Sequence, residues 1–541
     1  MTTTKNFLKV MALSLVVTGA AAVANAQTAT PAPRANGAAQ QPAQDRYIVG
    51  QAKPPEVPGT AVMNLSLEDA IQRALDRNIE LKVARYNPQL TDYQIKATRA
   101  TYRPNFTNTT TYRDSTTLTT SSLDVVPSVA SRNLSANTSV NQTTPFHGLS
   151  YQGSFNTNRL ASTNPTATRP LQFGSTLSFS ITQPLLQNFK TDSTRTTLKT
   201  QQITREINDI QLKALAANTV ASVRAAYWDL RAAIENIEIQ RRAVDLGKSL
   251  VDQNRTKVEV GTMAQIDVIT AESQQANAEL NLVNAESTWR QAEQALKRLI
   301  AGGTDDDIYR STINPTEVPS IAPTQVDIQA AVAAALTQRT DLMQARKQLD
   351  SALLNIELLK NQVLPQLNMT AGYSVAGSGG NLYEPENRGV VGSPMRLVSE
   401  AGYINSISGA FEQPTWNIQA SVNYPLGQTA ARANLARTRL TFEQSQTQLK
   451  ATELSVSSEV TNAGLQVQNT YKALLASQKA RELAERQAEA EQTKFEVGMS
   501  TNFTVVQQQQ AMTSARTAEL RAILNYVKAL IEFERVQSVG R

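Results

Sequence analysis

The chain has 541 residues, with 52 Lys+Arg against 46 Asp+Glu, a formal net charge of +6, no Cys and one His, His147. That composition excludes a disulfide framework, a thiolate metal site, a Cys nucleophile, a diacyl anchor and any site needing two histidines. The small positive balance contains no Lys/Arg cluster, so nucleic acid is not an expected partner.

Residues 1–26 read as an export signal. Lys5 and Lys9 precede an apolar stretch over 10–23 that ends in Ala24-Asn25-Ala26, a small-x-small cleavage pattern. Cleavage is expected before Gln27, with no lipidation. The stretch is short and interrupted by Thr18 and Gly19, which argues against a membrane anchor. Residues 27–60 are rich in Pro, Ala and Gln and read as a flexible linker. No later segment offers ~18 uninterrupted apolar residues, so a membrane crossing would have to be a β-barrel.

The rest is written twice: one unit over 61–303, a connector over 304–325 and a second unit over 326–541. At an offset of 261, Ala70, Ala74, Leu75, Leu81 and Ala84-Arg85 meet Ala331, Ala335, Leu336, Leu342 and Ala345-Arg346, and Pro104 meets Pro365. Pro184-Leu185 matches Pro425-Leu426 at 241, and Val260-Gly261 matches Val497-Gly498 at 237. Landmarks repeated in one order argue for duplication.

Each unit opens with a helix, over 67–102 and 326–363, stopped by Pro104 and Pro365 because the residue before proline is pushed out of the α region. Strands follow. Leu171, Phe173, Leu177, Phe179 and Ile181 share one face; so do Leu367, Met369, Tyr373 and Val375, and Trp416, Ile418, Val422 and Tyr424. Their other faces are small and polar, which suits a wall between two environments. A fourth strand, 105–118, is Thr/Asn-rich, and 119–170 and 376–414 read as long Ser/Thr/Asn/Gly-rich loops.

Proline-free helices are predicted over 194–259 and 429–496. Some 65 residues at 1.5 Å each reach roughly 100 Å. Val223, Tyr227, Leu230, Ile234 and Ile237, then Val244, Val251 and Val258, form a heptad-like seam. Return helices are expected over 264–299 and 503–536. The turns Val260-Gly261-Thr262 and Val497-Gly498-Met499 place glycine where a left-handed residue ends a helix, and Thr262 with Gln265 has capping-box spacing.

Four strands of ~10 residues are long enough to cross a membrane tilted, yet too few to close a barrel. An open sheet in lipid leaves backbone groups unpaired, so several chains must share one barrel. The fold class is therefore an α+β membrane protein, mostly α, with four strands per chain.

With these features the two units resemble the outer-membrane efflux protein family, typified by TolC, over about 65–538. The residues that carry the resemblance are Val260-Gly261-Thr262 through Ile266-Asp267-Val268, and Phe495-Glu496-Val497-Gly498 through Phe503-Thr504-Val505. The resemblance implies a homotrimer with a twelve-stranded barrel in outer-membrane lipid and a twelve-helix α-helical barrel through the periplasm. Short helices over 67–78, 303–315 and 326–339 would form a belt, and the two long loops would face outside. The hairpin tips, Val260, Gly261, Thr262, Val497, Gly498, Met499 and Ser500, would dock a periplasmic adaptor that links the duct to an inner-membrane transporter of the RND or ABC type. Asp267, Phe495, Thr504 and Gln507 would line the periplasmic entrance. Ser500 and Phe495 stand where TolC has a latch arginine and tyrosine, and Thr504 and Gln507 where it has acids, so a salt-bridge latch is not expected. Drugs, metal ions and type I secreted polypeptides all fit as cargo, with no covalent chemistry, metal or cofactor.

Two rival readings carry less. Asp305-Asp306-Asp307 lacks the spaced ligands and turn glycine of an ion loop and reads as a solvated turn, and His147 lies in a polar stretch without a visible partner. An exported adhesive coiled coil explains the heptads and the signal, but not paired strands set symmetrically between helices.

Overall fold

The computed structural model describes residues 52–56, 58–120, 126–387, 393–427 and 429–537. The expected export signal over 1–26 and the 27–51 part of the linker lie outside them.

Strand β1 (Val62–Leu65) leads into α1 (Leu67–Arg77), α2 (Ile79–Ala84) and α3 (Tyr86–Ala100). The single helix expected here is broken at Asn78, which closes α1 through its N–H to the Ala74 carbonyl and opens α2 by accepting from Leu81 N–H. Next come β2 (Asn105–Leu118), β3 (Ser128–Thr143), β4 (Ser150–Ser162) and β5 (Leu171–Pro184). The loop expected over 119–170 therefore contains two long strands. Their Ser, Thr and Asn residues resemble loop composition, but in an antiparallel ladder they make a polar face of period two.

Helix α4 (Ser193–Glu259) turns into α5 (Gln265–Ile300), followed by the single turn α6 (Asp307–Arg310) and β6 (Thr312–Pro315). The belt helix expected over 303–315 is thus reduced to the single turn of α6 and followed by a strand, which pairs in parallel with β1. Asp306 is also not a solvated turn residue. Its carboxylate accepts from Arg77 Nη1 (2.9 Å), Gly302 N–H (3.1 Å) and Ile308 N–H (3.4 Å), pinning α6 to α1. The second unit repeats the plan: α7 (Ile328–Gln338), α8 (Thr340–Gln362), β7 (Gln366–Gly379), a small hairpin of β8 (Leu382–Pro385) and β9 (Met395–Ser399), α9 (Tyr403–Ser408), a 3-10 turn (Gly409–Glu412), β10 (Pro414–Asn423), α10 (Thr429–Glu496) and α11 (Asn502–Gln537).

The main sheet has six strands, in the order β10-β7-β5-β4-β3-β2, all antiparallel. The expected count of four per chain is corrected by β3 and β4, which lie inside the ladder between β2 and β5. Registers such as Gly153↔Phe179, Phe179↔Tyr373 and Tyr373↔Trp416 carry one apolar face across the sheet. The opposite face is mostly Ser, Thr, Asn, Gln and Gly. Helix α9 lies against the apolar face of β5 and β7: Ser406 Oγ bonds Ser175 Oγ at 2.8 Å in a buried pair, and Tyr403 meets Phe173 edge-on. A Cβ on Gly377 would run into the Ser406 carbonyl, so glycine is what lets α9 lie this close.

The largest core cluster joins Val223, Tyr227, Leu230, Ile234 and Ile237 of α4 to Trp289, Leu296 and Ile300 of α5 and to Ala70 and Ala74 of α1. The upper half of the heptad seam is thus core as expected. Lower down, burial passes to Leu250, Val251 and Asn254, while Val244 and Val258 stay half-buried.

Candidate functional site

The two hairpin tips end in the same backbone motif. Thr262 N–H reaches the Lys257 carbonyl (2.9 Å) and Gly261 N–H the Val258 carbonyl (3.0 Å); Met499 N–H reaches Lys494 (2.8 Å) and Gly498 N–H reaches Phe495 (3.2 Å). This Schellman arrangement needs a left-handed residue after the helix, and Gly261 and Gly498 take φ of 76° and 78°. The capping box expected from Thr262 and Gln265 does not form. The Thr262 hydroxyl donates back to the Lys257 carbonyl (3.0 Å), so it closes α4 rather than opening α5. Around the turns Val260, Ile266, Val497, Met499 and Phe503 are all well exposed. Five large apolar side chains on two adjacent tips form a surface suited to contact.

Above the turns the two hairpins are clasped to each other. Asn254 on α4 donates through Nδ2 to Asn502 Oδ1 on α11 at 2.9 Å, fully buried. Asn502 Nδ2 donates to the Asp267 carbonyl on α5 (3.0 Å), and Asn254 Nδ2 approaches the same oxygen at 3.4 Å. Lys257 Nζ donates to the Phe495 carbonyl (3.2 Å) and lies 3.5 Å from the centre of the Phe495 ring, a cation–π contact. Phe495 packs beneath it with Leu250, Val251, Ala271, Val505 and Val506. One acceptor of the cluster, Asn254 Oδ1, is buried without a hydrogen-bond partner.

The expected entrance residues fall in three places. Phe495 is at the centre of the clasp. Asp267 joins it through its backbone carbonyl, with its carboxylate in the first turn of α5, where the helix dipole favours negative charge. Thr504 lies at the start of α11, its hydroxyl 2.8 Å from that of Thr501. Gln507 is exposed and apart from the cluster. Ser500 staples its own hairpin by donating to Glu491, which also pairs with Lys494 at 3.1 Å. The Ser500 hydroxyl, then Lys494, hold the Glu491 carboxyl below its ordinary range. Sequence reasoning missed Asn254, Lys257 and Asn502. Asn254, three positions after Val251, was the available signal: a polar residue at a seam position specifies register.

His147 has partners too. It stacks on Phe189 with ring centres 4.5 Å apart and meets Phe146 edge-on at 4.2 Å.

The profile of the outer membrane efflux protein family matches residues 128–302 and 331–536, well over half of the chain. The chain is an outer membrane efflux protein. A relative, outer membrane protein TolC of Vibrio cholerae serotype O1, is 27% identical over 167 residues. That stretch is 31% of this chain and 37% of the relative, so it spans little more than a third of the relative's length. Among solved structures, CusC aligns with a TM-score of 0.64 at 14% identity, over 88% of this chain and 92% of that one. VceC of Vibrio cholerae gives 0.61 at 14%, over 88% and 96%, and the CmeC channel of Campylobacter jejuni 0.61 at 14%, over 88% and 86%. Likeness at this identity establishes the fold: a sheet carrying long helical hairpins. Within that fold, this efflux protein joins its two hairpins through amides, a lysine and a phenylalanine.

Proposed function

We propose that this efflux protein is a homotrimeric outer-membrane channel-tunnel that passes cargo delivered by a periplasmic adaptor and an inner-membrane transporter to the exterior, without covalent chemistry. The observation that carries the reading is the sheet. It has one apolar and one polar face, and among the described residues its edge strands β2 and β10 each have a single neighbour. Lipid tolerates a sheet only when every edge is paired, and further copies of the chain supply that pairing.

In this reading the apolar tips dock the adaptor, and the clasp of Asn254, Lys257, Phe495 and Asn502 holds the entrance shut. A joint with one unmet buried acceptor costs less to open than a fully satisfied one. Drugs, other toxic small molecules and secreted polypeptides are the cargo classes such a duct serves.

Purified protein in a planar bilayer tests the channel. Stepwise ion conductance is expected, and a chain that inserts yet never conducts sinks the reading. For docking, Gly261→Leu and Gly498→Leu force a side chain into the left-handed region, at about 1–2 kcal/mol each. Lost export with assembled protein still in the membrane is expected. Full export with normal adaptor crosslinking would refute docking at the tips.

A further inference from the structure

We propose that the β3–β4 hairpin is a structural part of the membrane wall, so that three copies close an eighteen-stranded barrel with an almost uncharged interior. The proposal rests on the trimeric channel reading and adds the width and chemistry of its outer-membrane section.

The ladder is continuous. β3 pairs with β2 from Asn105↔Asn141 to Leu118↔Ser128, and β4 pairs with β5 from Ser150↔Thr182 to Ala161↔Leu171. These strands hold 13 to 16 residues, longer than a tilted crossing of ~9–11 requires. The turn between β3 and β4 is seated at the helical end of the sheet, opposite to where an external loop would hang. Gln183 Nε2 donates to the His147 carbonyl (2.8 Å), and His147 stacks on Phe189 in the link from β5 to α4. Gly148, at φ 70°, sits where a Cβ would come within 2.8 Å of the Asn188 carbonyl.

The alternation continues through the added strands. Phe106, Tyr112, Leu134, Val140, Tyr151 and Phe155 share the apolar face of β5. Polar residues in the helical half of that face bond to one another, Asn108 Nδ2 to Thr138 Oγ1 at 2.7 Å and Thr110 Oγ1 to Asn108 Oδ1 at 3.3 Å. Its charges, Asp114, Arg132 and Arg159, lie in the half of the strands away from the helices, and Asp114 pairs with Arg132 at 3.2 Å. The opposite face of the six strands carries one charge, Arg113.

Strand parity permits closure. Six alternating strands leave β2 and β10 antiparallel, so β10 of one copy can pair with β2 of the next. A hairpin preserves that parity where a single inserted strand would break it. The helices do not multiply with the strands: α3, α4, α8 and α10 are the four that join the sheet, and α3 and α4 are neighbours through Arg205–Asp92 at 3.0 Å. Barrel diameter grows roughly linearly with strand number, so eighteen strands give about 1.5 times the diameter of twelve, in the range that leaves an open aqueous channel. Such a wall admits bulky cargo of either sign, with a single ring of Arg113 as its charge filter.

The test is electron cryomicroscopy of the whole unmodified protein in lipid nanodiscs. A three-fold particle with eighteen strands is expected. A three-fold barrel of twelve strands, with 119–170 outside the ladder, overturns this proposal and leaves the trimeric channel standing. A particle without a shared barrel overturns both. A second measurement uses the absence of native cysteine. The pair Asn156→Cys with Thr176→Cys faces across β4 and β5. It is expected to crosslink within one chain in membranes, and no crosslink from a folded, inserted variant counts against the hairpin's place in the wall.

Discussion

Asn502 is 3% exposed and satisfies two partners on two other helices, Asn254 on α4 and the Asp267 carbonyl on α5. Truncating it removes both bonds from a buried site and leaves only the 3.4 Å contact between Asn254 and the Asp267 carbonyl, a loss of about 1–3 kcal/mol. In the proposed channel, Asn502→Ala is therefore expected to shift the entrance toward open, read as higher single-channel conductance with the mass of the assembly unchanged. Conductance equal to the parent's would remove the clasp from the gate. This residue also marks the limit of reading the site from sequence. Gly261 and Gly498 were legible because only glycine takes a left-handed turn without cost, and the turn repeats. The bond between Asn254 and Asn502 was not, because it links positions 248 apart and no periodicity encodes it. Phe495 was singled out by its position beside Val497-Gly498, but its partner Lys257 lies on the other hairpin.

Among elements, the helices were the most legible: α4, α5, α10 and α11 lie within two residues of expectation, since long proline-free seams state their own period. The strands β5, β7 and β10 were legible for the same reason at period two. β3 and β4 were hidden because their apolar face is thin, with Ala136 and Thr138 between Leu134 and Val140. The link between α1 and α6 was hidden because Asp306 has Asp305 and Asp307 as neighbours, which suggest a solvated run. Burial alone would raise the Asp306 carboxyl, but Gly302 N–H, Arg77 and Ile308 N–H outweigh it and hold it below its ordinary value of 3.8. A depressed folded pKa means the unfolded chain binds more protons in that interval. The stability it confers is complete above the ordinary value and is lost as pH falls through the folded one. Asp306→Asn is expected to cost about 1.5–3 kcal/mol at neutral pH, with the gap from the parent closing in acid. Thermal melts of both proteins from pH 7 to pH 2 measure it, and a gap independent of pH would mean that packing, not charge, holds α1 to α6.

At the scale of the molecule, the two units have diverged in what they bury. Helix α4 is packed by its own chain on most sides, whereas α10 leaves Leu440, Leu454, Leu465, Leu475 and Leu483 exposed while Val460, Val467 and Leu474 are buried. A helix with one apolar stripe buried and further leucines facing out offers a surface for a partner, and in the proposed trimer that partner would be the neighbouring copy. Two substitutions separate folding from assembly. Leu474→Ala removes a fully buried side chain and is expected to cost the chain itself about 2–5 kcal/mol. Leu454→Glu, at 74% exposure in the single chain, is expected to leave its helicity intact. In the proposed trimer, a charge placed at each of three copies of one seam would instead weaken the assembly, read by native mass and by the temperature at which the assembled species dissociates in detergent. If the Leu454→Glu trimer dissociates at the parent's temperature, the outer face of α10 does not meet a neighbouring copy, and its leucines are left for the adaptor to cover.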